Sequence, residues 1–359
     1  MSSKLRHIVK GGFLGFLAKK GSFYLLAFFI VANMLFIFPR LLPSDPVELA
    51  MSRAMNVQGT SPAAGSETSG AQTTAAEYLR QMFRDKFGVD APIHVQYMVF
   101  WRRFLTFDFG ESYSFYPELC ASKVSYGLPW TLVLVIPVIP VGFYLGNWIG
   151  SRAGFHRDKL SYALFAISNY ITRAPYFWFG LILVTVFGYQ LRLFPVYGAY
   201  SGTWLRPVLS LKFFLDALHH YMLPFLSLVG AGVGSWATGM RAMTIYEAQS
   251  DYIQYSEQLG FKKSSLRAFA RDNAILPNFT NLPMVLVSLI GQTLLVEIVF
   301  GYPGLGTLLF NSVIQMDYPL IEATVLCLVV ISLLGNFIID ICYGMLDPRI
   351  GSAYAEEEA

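Results

Sequence analysis

Few residues of this chain are placed to do chemistry, and their neighbours disqualify most of them. Two carboxylates, Glu297 and Asp340, fall within strongly apolar runs, where an ionised group needs a partner or a water-filled path. They could brace structure, face a pore, or carry protons in an ion-coupled transporter. Gly301 and Gly306 have the spacing that frames a phosphate-binding loop, but Thr307 follows where a lysine is required to reach the phosphates. His219-His220 opens an apolar run and belongs to no His-Glu-x-x-His helix, and Cys120, Cys327 and Cys342 show neither metal-ligand spacing nor a disulfide framework. The chain is therefore expected to hold no catalytic residue, no metal and no cofactor of its own, and not to be an enzyme.

The elements that carry these residues are set by hydrophobicity. A chain of 359 residues that is 55% hydrophobic and 14% charged cannot fold as one soluble domain without exposing large apolar patches. A net charge of +3 argues against a nucleic-acid partner. Spanning a bilayer takes about 20 mainly apolar residues in a helix, and six such runs occur, at residues 23–42, 128–149, 161–187, 221–240, 282–300 and 320–343. The first lacks a small-residue cleavage site and reads as a retained helix, not a signal peptide. Lys4, Arg6, Lys10, Lys19 and Lys20 precede it without an acidic residue, which puts the N-terminus in the cytoplasm, and six crossings return the C-terminus there. Arg152, Arg157 and Lys159 agree with this orientation, whereas Arg192, Arg206 and Lys212 run weakly against it. Pro137, Pro140 and the Gly230, Gly232, Gly234 series suit either close helix packing or flexible points in a switching bundle.

The remaining segments divide accordingly. Residues 1–21 read as an amphipathic N-terminus with Leu5, Ile8, Val9, Phe13, Phe16 and Leu17 opposite the lysines, and 22–43 as the first span. Residues 44–124 form a large external loop, expected to be disordered over 58–74, where Ser, Thr, Ala and Gly dominate. Tyr78, Leu79, Met82 and Phe83 then suggest an amphipathic helix, followed by the aromatic stretch Tyr97, Phe100, Trp101, Phe104. That stretch could touch lipid, the membrane core or an external protein. Residues 125–350 form the membrane core and 351–359 an acidic cytoplasmic tail. Within the core, the polar loop 241–281 is patterned as two helices, acidic in its first half (Glu247, Asp251, Glu257) and basic later (Lys262, Lys263, Arg267, Arg271). Gly260 marks the turn, with a new N-cap in Lys262-Lys263-Ser264-Ser265.

Asp251-Tyr252-Ile253, Gly260 and Asn273-Ala274-Ile275-Leu276-Pro277 together resemble the cytoplasmic signature of binding-protein-dependent ABC importer permeases of the dipeptide/oligopeptide branch. Further motifs follow in the family's order. They are Leu42-Pro43-Ser44-Asp45-Pro46, Phe87-Gly88-Val89-Asp90, Pro129-Trp130-Thr131-Leu132, Pro175-Tyr176-Phe177-Trp178, Glu297-Ile298-Val299-Phe300-Gly301-Tyr302-Pro303-Gly304-Leu305-Gly306, Asp317-Tyr318-Pro319 and Leu346-Asp347-Pro348-Arg349. The run Tyr255 to Leu259 and Phe269 depart from the family's usual residues.

The resemblance implies an all-α membrane protein with the six-transmembrane-helix, type I ABC importer permease fold and a large external loop between helices 1 and 2. It implies the pore subunit of an ATP-driven peptide importer in the bacterial inner membrane. Its partners would be a second permease subunit (a heterodimer), two ATP-binding subunits that bind the ATP, and an external solute-binding protein. Asp251, Tyr252, Glu257, Gly260, Asn273 and Pro277 are the implied ATPase-coupling residues, with Pro277 expected to start the fifth membrane helix. Glu297, Gly301, Pro303 and Gly304 are the implied gate or translocation residues. Ser235 to Arg241 also resembles branch members that import oligosaccharides, so that solute class stays open. An ion-coupled secondary transporter and a non-transporting membrane scaffold are the readings from other classes.

Overall fold

The computed structural model describes residues 3–37, 81, 90–155, 158–202, 207 and 210–346, with side chains from Gly15 to Cys342. Expectations for residues 42–46, 58–74, 78–79, 82–83, 87–89 and 347–359, and for the apolar face of residues 5–13, lie outside this description. Among the described residues the regular structure is helical, apart from one antiparallel bridge between Glu111 and Leu119. Helices α1 (Ser3–Ile37), α2 (Ile93–Thr106) and α3 (Cys120–Phe155) come first. They are followed by α4 (Lys159–Thr172), α5 (Tyr176–Leu183, continued by a π-helical turn Val184–Gln190) and α6 (Leu211–Ala248). The chain then forms α7 (Asp251–Gln258), α8 (Lys263–Phe279), α9 (Leu282–Phe300), α10 (Leu305–Ile314) and α11 (Tyr318–Leu346). Helix is what apolar sequence must form in lipid, because every backbone N–H and C=O has to find its partner within the segment.

Five described helices are long and apolar enough to cross a membrane, and a bent pair supplies the sixth. The chain is a multi-pass membrane protein. Three expectations need correcting. The amphipathic N-terminus and the first span are one uninterrupted rod, α1, because nothing in the Lys19-Lys20-Gly21 stretch stops a helix. The third apolar run is two helices, α4 and α5 with its π turn, bent by 109° at a short break. Pro175 causes the break: it has no N–H to donate and disfavours helical geometry in the preceding residue, and it stands itself at the N-cap of α5 outside the helical region (φ −58, ψ 141). Finally, α3 and α6 run to 36 and 38 residues, well past their apolar runs, since polar ends need not stop a helix that continues outside the bilayer.

The chain divides into two compact units. One holds residues 128–307 with the start of α1 up to Tyr24 and the end of α11 from Ile331. Its axis is α6, whose apolar stretch is 56% buried against 11% for α1, and which touches α4, α5, α8 and α9. Close approach to α6 depends on missing side chains. Gly142, Gly146, Gly150 and Gly154 recur every fourth residue and so share one face of α3. A Cβ at Gly146 would lie 2.3 Å from Trp236 Cβ, one at Gly150 2.4 Å from the Ala237 carbonyl oxygen, and one at Gly154 2.7 Å from Thr244 Cγ2. On α6, Gly230 faces the Phe179 ring and Gly234 the Ser168 carbonyl, and the Gly234 N–H donates to Thr172 Oγ1 at 2.9 Å. These glycines serve close packing. Where α3 passes to α4, Asp158 caps α4 by accepting from the Ser161 N–H (3.0 Å) and hydroxyl (2.7 Å), which holds its carboxyl below the usual range.

The other unit holds residues 25–127 and 308–330. Its core joins Ala32 and Phe36 of α1, Phe100 of α2 and Leu326 of α11, with Phe28, Tyr97, Trp101 and Phe104 packed around them. Asp317, fully buried, organises the segment before α3. It accepts from the Ser112 hydroxyl, the Ser114 N–H (2.9 Å) and the Leu320 N–H (3.3 Å), so that it caps α11 and anchors residues 112–114 together.

The glycine face predicts a steric asymmetry. Gly150→Leu forces α3 and α6 apart and should cost about 1–3 kcal/mol or more, whereas Gly291→Ala, with nothing within 4 Å of the added carbon, should be nearly neutral. Thermal unfolding of the purified protein in detergent reads both.

Candidate functional site

Two clusters in the larger unit gather the candidate residues. The first is the turn from α9 to α10. Gly301 ends α9 in the left-handed region (φ 56), and its N–H and that of Tyr302 return to the Ile298 and Glu297 carbonyls at 3.2 and 2.8 Å. That pair of bonds is the Schellman closure, which favours glycine. Space demands glycine as well, since a Cβ here would fall 1.9 Å from the Tyr197 ring. Pro303 then sits at the centre of a three-residue turn, with the Gly304 N–H donating to the Tyr302 carbonyl at 2.8 Å. Tyr302 is buried and meets the Trp130 ring edge-on at 5.6 Å.

Into this turn reaches the side chain of Glu297, which is 0% exposed. One carboxyl oxygen accepts from the Thr131 hydroxyl at 2.7 Å, the other from the Gly306 N–H at 2.6 Å, and the Thr307 N–H donates to the same carboxyl. Thr131 Oγ1 in turn accepts from the Leu305 N–H at 2.8 Å. The first N–H groups of a helix have no intrahelical partner, and here two side chains from distant parts of the chain supply acceptors for three of them at the head of α10. A Cβ at Gly304 would lie 2.3 Å from the carboxyl carbon. Glu297, Gly301, Pro303 and Gly304 thus form one device that holds the turn closed. Sequence reasoning missed Thr131, whose signal was a hydroxyl at the head of an apolar run.

Asp340 lies elsewhere and has partners within the chain. It is 5% exposed, 3.3 Å from Lys20 Nζ, and accepts from the Tyr24 hydroxyl at 2.5 Å. The continuous α1 rod brings both partners to it.

The second cluster is the loop from α6 to α9. Its two helices pack Ile253, Leu266 and Ala270 against Phe155 at the end of α3. Gly260 (φ +83) closes α7 by the same Schellman pair, with its N–H on the Glu257 carbonyl (3.0 Å) and that of Phe261 on the Ser256 carbonyl (3.2 Å). Nothing lies within 4 Å of a Cβ there, so conformation alone demands glycine. The new cap within that stretch is Lys262, with no side-chain cap bond.

Tyr252 and Asn273 meet: the Tyr252 hydroxyl donates to Glu247 at the end of α6 (2.7 Å) and accepts from Asn273 Nδ2 (2.9 Å). Burial, then the neighbouring Glu247, raise the Tyr252 phenol above its ordinary range. Asp251 stands in the first turn of α7, where a carboxylate favours the helix dipole, and both it and Glu257 face outward.

Pro277 corrects the expectation made for it. It lies exposed inside α8, and Pro283 stands at the head of α9 instead. The pin at this end is the next residue, Asn278, buried to 3%. Its Nδ2 donates to Asn147 Oδ1 of α3 at 2.7 Å and to the Trp236 carbonyl of α6 at 3.2 Å. An asparagine within the apolar second run, Asn147, was the available signal, because a buried amide must find a partner.

The outer face of the loop is apolar in a polar segment. Tyr255, Leu259, Phe261 and Phe269 are all exposed, with the two phenylalanine rings 6.2 Å apart. A pinned helix pair presenting aromatic side chains outward can dock a protein. Among the described residues no group of three or more His, Cys, Asp or Glu side chains could hold a metal.

The family described as "Binding-protein-dependent transport system inner membrane component" matches residues 146–352. The oligopeptide transport system permease protein AppB of Bacillus subtilis is 31% identical over 274 residues, 76% of this chain and 84% of that protein. The glutathione transport system permease protein GsiC of Salmonella choleraesuis is 30% identical over 328 residues, 89% of this chain and 94% of that protein. The di/tripeptide transport system permease protein DppB of Pseudomonas aeruginosa is 26% identical over 352 residues, covering 94% and 98%.

Both clusters give ordered stability predictions. Glu297→Ala orphans buried N–H groups at about 1–3 kcal/mol each, whereas Glu297→Gln keeps one acceptor and should fall between Ala and the parent. Gly260→Ala should cost about 1–2 kcal/mol through the left-handed backbone alone, and Gly260→Asn less. Thermal unfolding of matched preparations checks both series.

Proposed function

The chain belongs to the family of binding-protein-dependent transport system inner membrane components, and on that premise we propose that it is the pore-forming permease subunit of an ATP-driven importer for peptides. The observation that carries this reading is the exposed aromatic face of α7 and α8 on a loop pinned to the membrane helices. Such a face suits a groove in a separate ATP-binding subunit, and the chain's own Gly301 to Thr307 stretch lacks the lysine of a phosphate-binding loop. Docking would bear on α6 through Tyr252 and Glu247, and on α3 and α6 through Asn278. Force applied at the loop therefore reaches the helix around which its unit is built. Two ATP-binding subunits, a second permease subunit making a heterodimer, and an external solute-binding protein complete the assembly. The N- and C-termini lie in the cytoplasm, as does the loop, in keeping with the basic residues of the N-terminal segment and of the loop between α3 and α4.

Peptide is the favoured solute because the relatives are named for oligopeptide, di/tripeptide and glutathione transport. The oligosaccharide alternative rests on residues 235–241 alone. An ion-coupled carrier loses its motivation, because Glu297 is engaged in the α9–α10 turn and Asp340 with Lys20 and Tyr24.

Uptake of a labelled peptide panel into cells with and without this chain tests the proposal. It should disappear on deletion, on inactivation of the partner ATPase, and in Gly260→Pro at matched abundance. Phe261→Asp should reduce co-purification of the ATP-binding subunit while the chain stays in the membrane. Uptake that survives ATPase inactivation but collapses with the proton gradient overturns it.

A further inference from the structure

Helix α2, Ile93–Thr106, belongs to the segment read from sequence as an external loop, yet it carries large apolar side chains on both sides. One side is accounted for. Tyr97, Phe100, Trp101 and Phe104 face α1, with Tyr97 and Phe100 on Phe36, Trp101 stacked on Phe29 at 5.4 Å and Phe104 on Phe28 at 5.0 Å. The Tyr97 hydroxyl donates to Asn33 Oδ1 at 2.7 Å. As numbers rise along α2 they fall along α1, so the two helices run antiparallel. The contacts cover positions 28 to 36 of α1, about 12 Å of its axis, all inside the apolar stretch Gly15–Ile37 that crosses the membrane.

The opposite side of α2 carries Val95, Met98, Val99 and Leu105, and Phe107 follows as the cap. All five are exposed, Met98 to 67% and Leu105 to 72%. Phe107 also holds a left-handed φ of 54, unusual for a bulky side chain, while 73% exposed. The outward side is mixed, because Arg102 and Thr106 stand on it with Val95 and Val99, but the part of α1 on which α2 packs sets its depth within the bilayer. Fourteen residues reach about 21 Å, too short to span and of the length expected for a re-entrant or interfacial segment. The helix contains no acidic residue, and Arg102, on its outward side, offers a cation to lipid phosphates on a long flexible stem. Ile30 and Met34, exposed on the other side of α1, belong to the same apolar span, so the stretch of α1 on which α2 packs lies at bilayer depth.

We propose that α2 is a re-entrant helix, entering the bilayer alongside α1 with its outward face covered by lipid acyl chains. The inference needs only that α1 crosses the membrane and is independent of what the chain transports.

Spin labels placed singly at Val95→Cys and Met98→Cys test it in the assembled complex in lipid vesicles. Cys327 and Cys342 are replaced by alanine and the buried Cys120 is retained. Reference labels go at Ile30→Cys, on the span, and Gly202→Cys, an exposed position between α5 and α6 with open space around an added Cβ, and elution of each variant at the position of the parent complex in size-exclusion chromatography confirms that it is intact. At both α2 sites the ratio of accessibility to oxygen over a water-soluble nickel chelate should match the Ile30 label and exceed the Gly202 label several-fold. A ratio matching Gly202 places the face in water and overturns the proposal. Exclusion of both reagents places it against protein and overturns it equally.

Discussion

A helix end buried away from water must have its free N–H or C=O groups answered by something other than water, and this chain meets that requirement with side chains, some local and one delivered from distant sequence. Glu297 and Thr131 answer the first N–H groups of α10. Asp317 answers the head of α11 and holds Ser112 and Ser114 against it. Without these acceptors the short apolar helix after α9 could not begin where it does, and the turn carrying Gly301 to Gly306 would have no fixed shape. Glu297, Asp317 and Asp340 are thus each engaged by backbone N–H groups, hydroxyls or a cation.

Glycine performs two separable tasks in the same architecture. Along α3 it removes bulk, and Gly146, Gly150 and Gly154 let the backbone of α6 approach to distances that any side chain would prevent. In a membrane this matters more than in water, because lipid competes equally well for apolar surface and close packing is what favours helix against helix. At Gly260 the space is empty and only the left-handed backbone is needed. Gly301 combines both demands. The turn at Gly260 and the turn at Gly301 close with the same pair of backbone bonds, one on the docking loop and one beside the Glu297 cradle.

The loop between α6 and α9 shows how a polar segment is fastened to the membrane helices. Ile253, Leu266 and Ala270 give it a small core on Phe155, the Glu247–Tyr252–Asn273 chain ties both of its helices to the end of α6, and Asn278 fastens its far end to α3 and α6. Its aromatic outer face is then free of structural duty within this chain. That combination of internal anchoring and outward apolar surface is what the proposed docking rests on.

What the sequence determined by itself was set by local properties. Apolar length against bilayer thickness established the number of spans, and the bounds of α9 agree with its run residue for residue. The Gly260 turn was legible because a helix end followed by glycine constrains only its own backbone. Tertiary structure alone decided which faces meet. Thr131 finds Glu297 across 166 positions and Asn278 finds Asn147 across 131, and no periodicity announces such partners, since lipid-facing and protein-facing sides of an apolar helix have similar composition. The 109° break at Pro175 and the unbroken α1 rod were likewise hidden, because hydropathy measures how apolar a run is and is blind to whether its backbone continues through it.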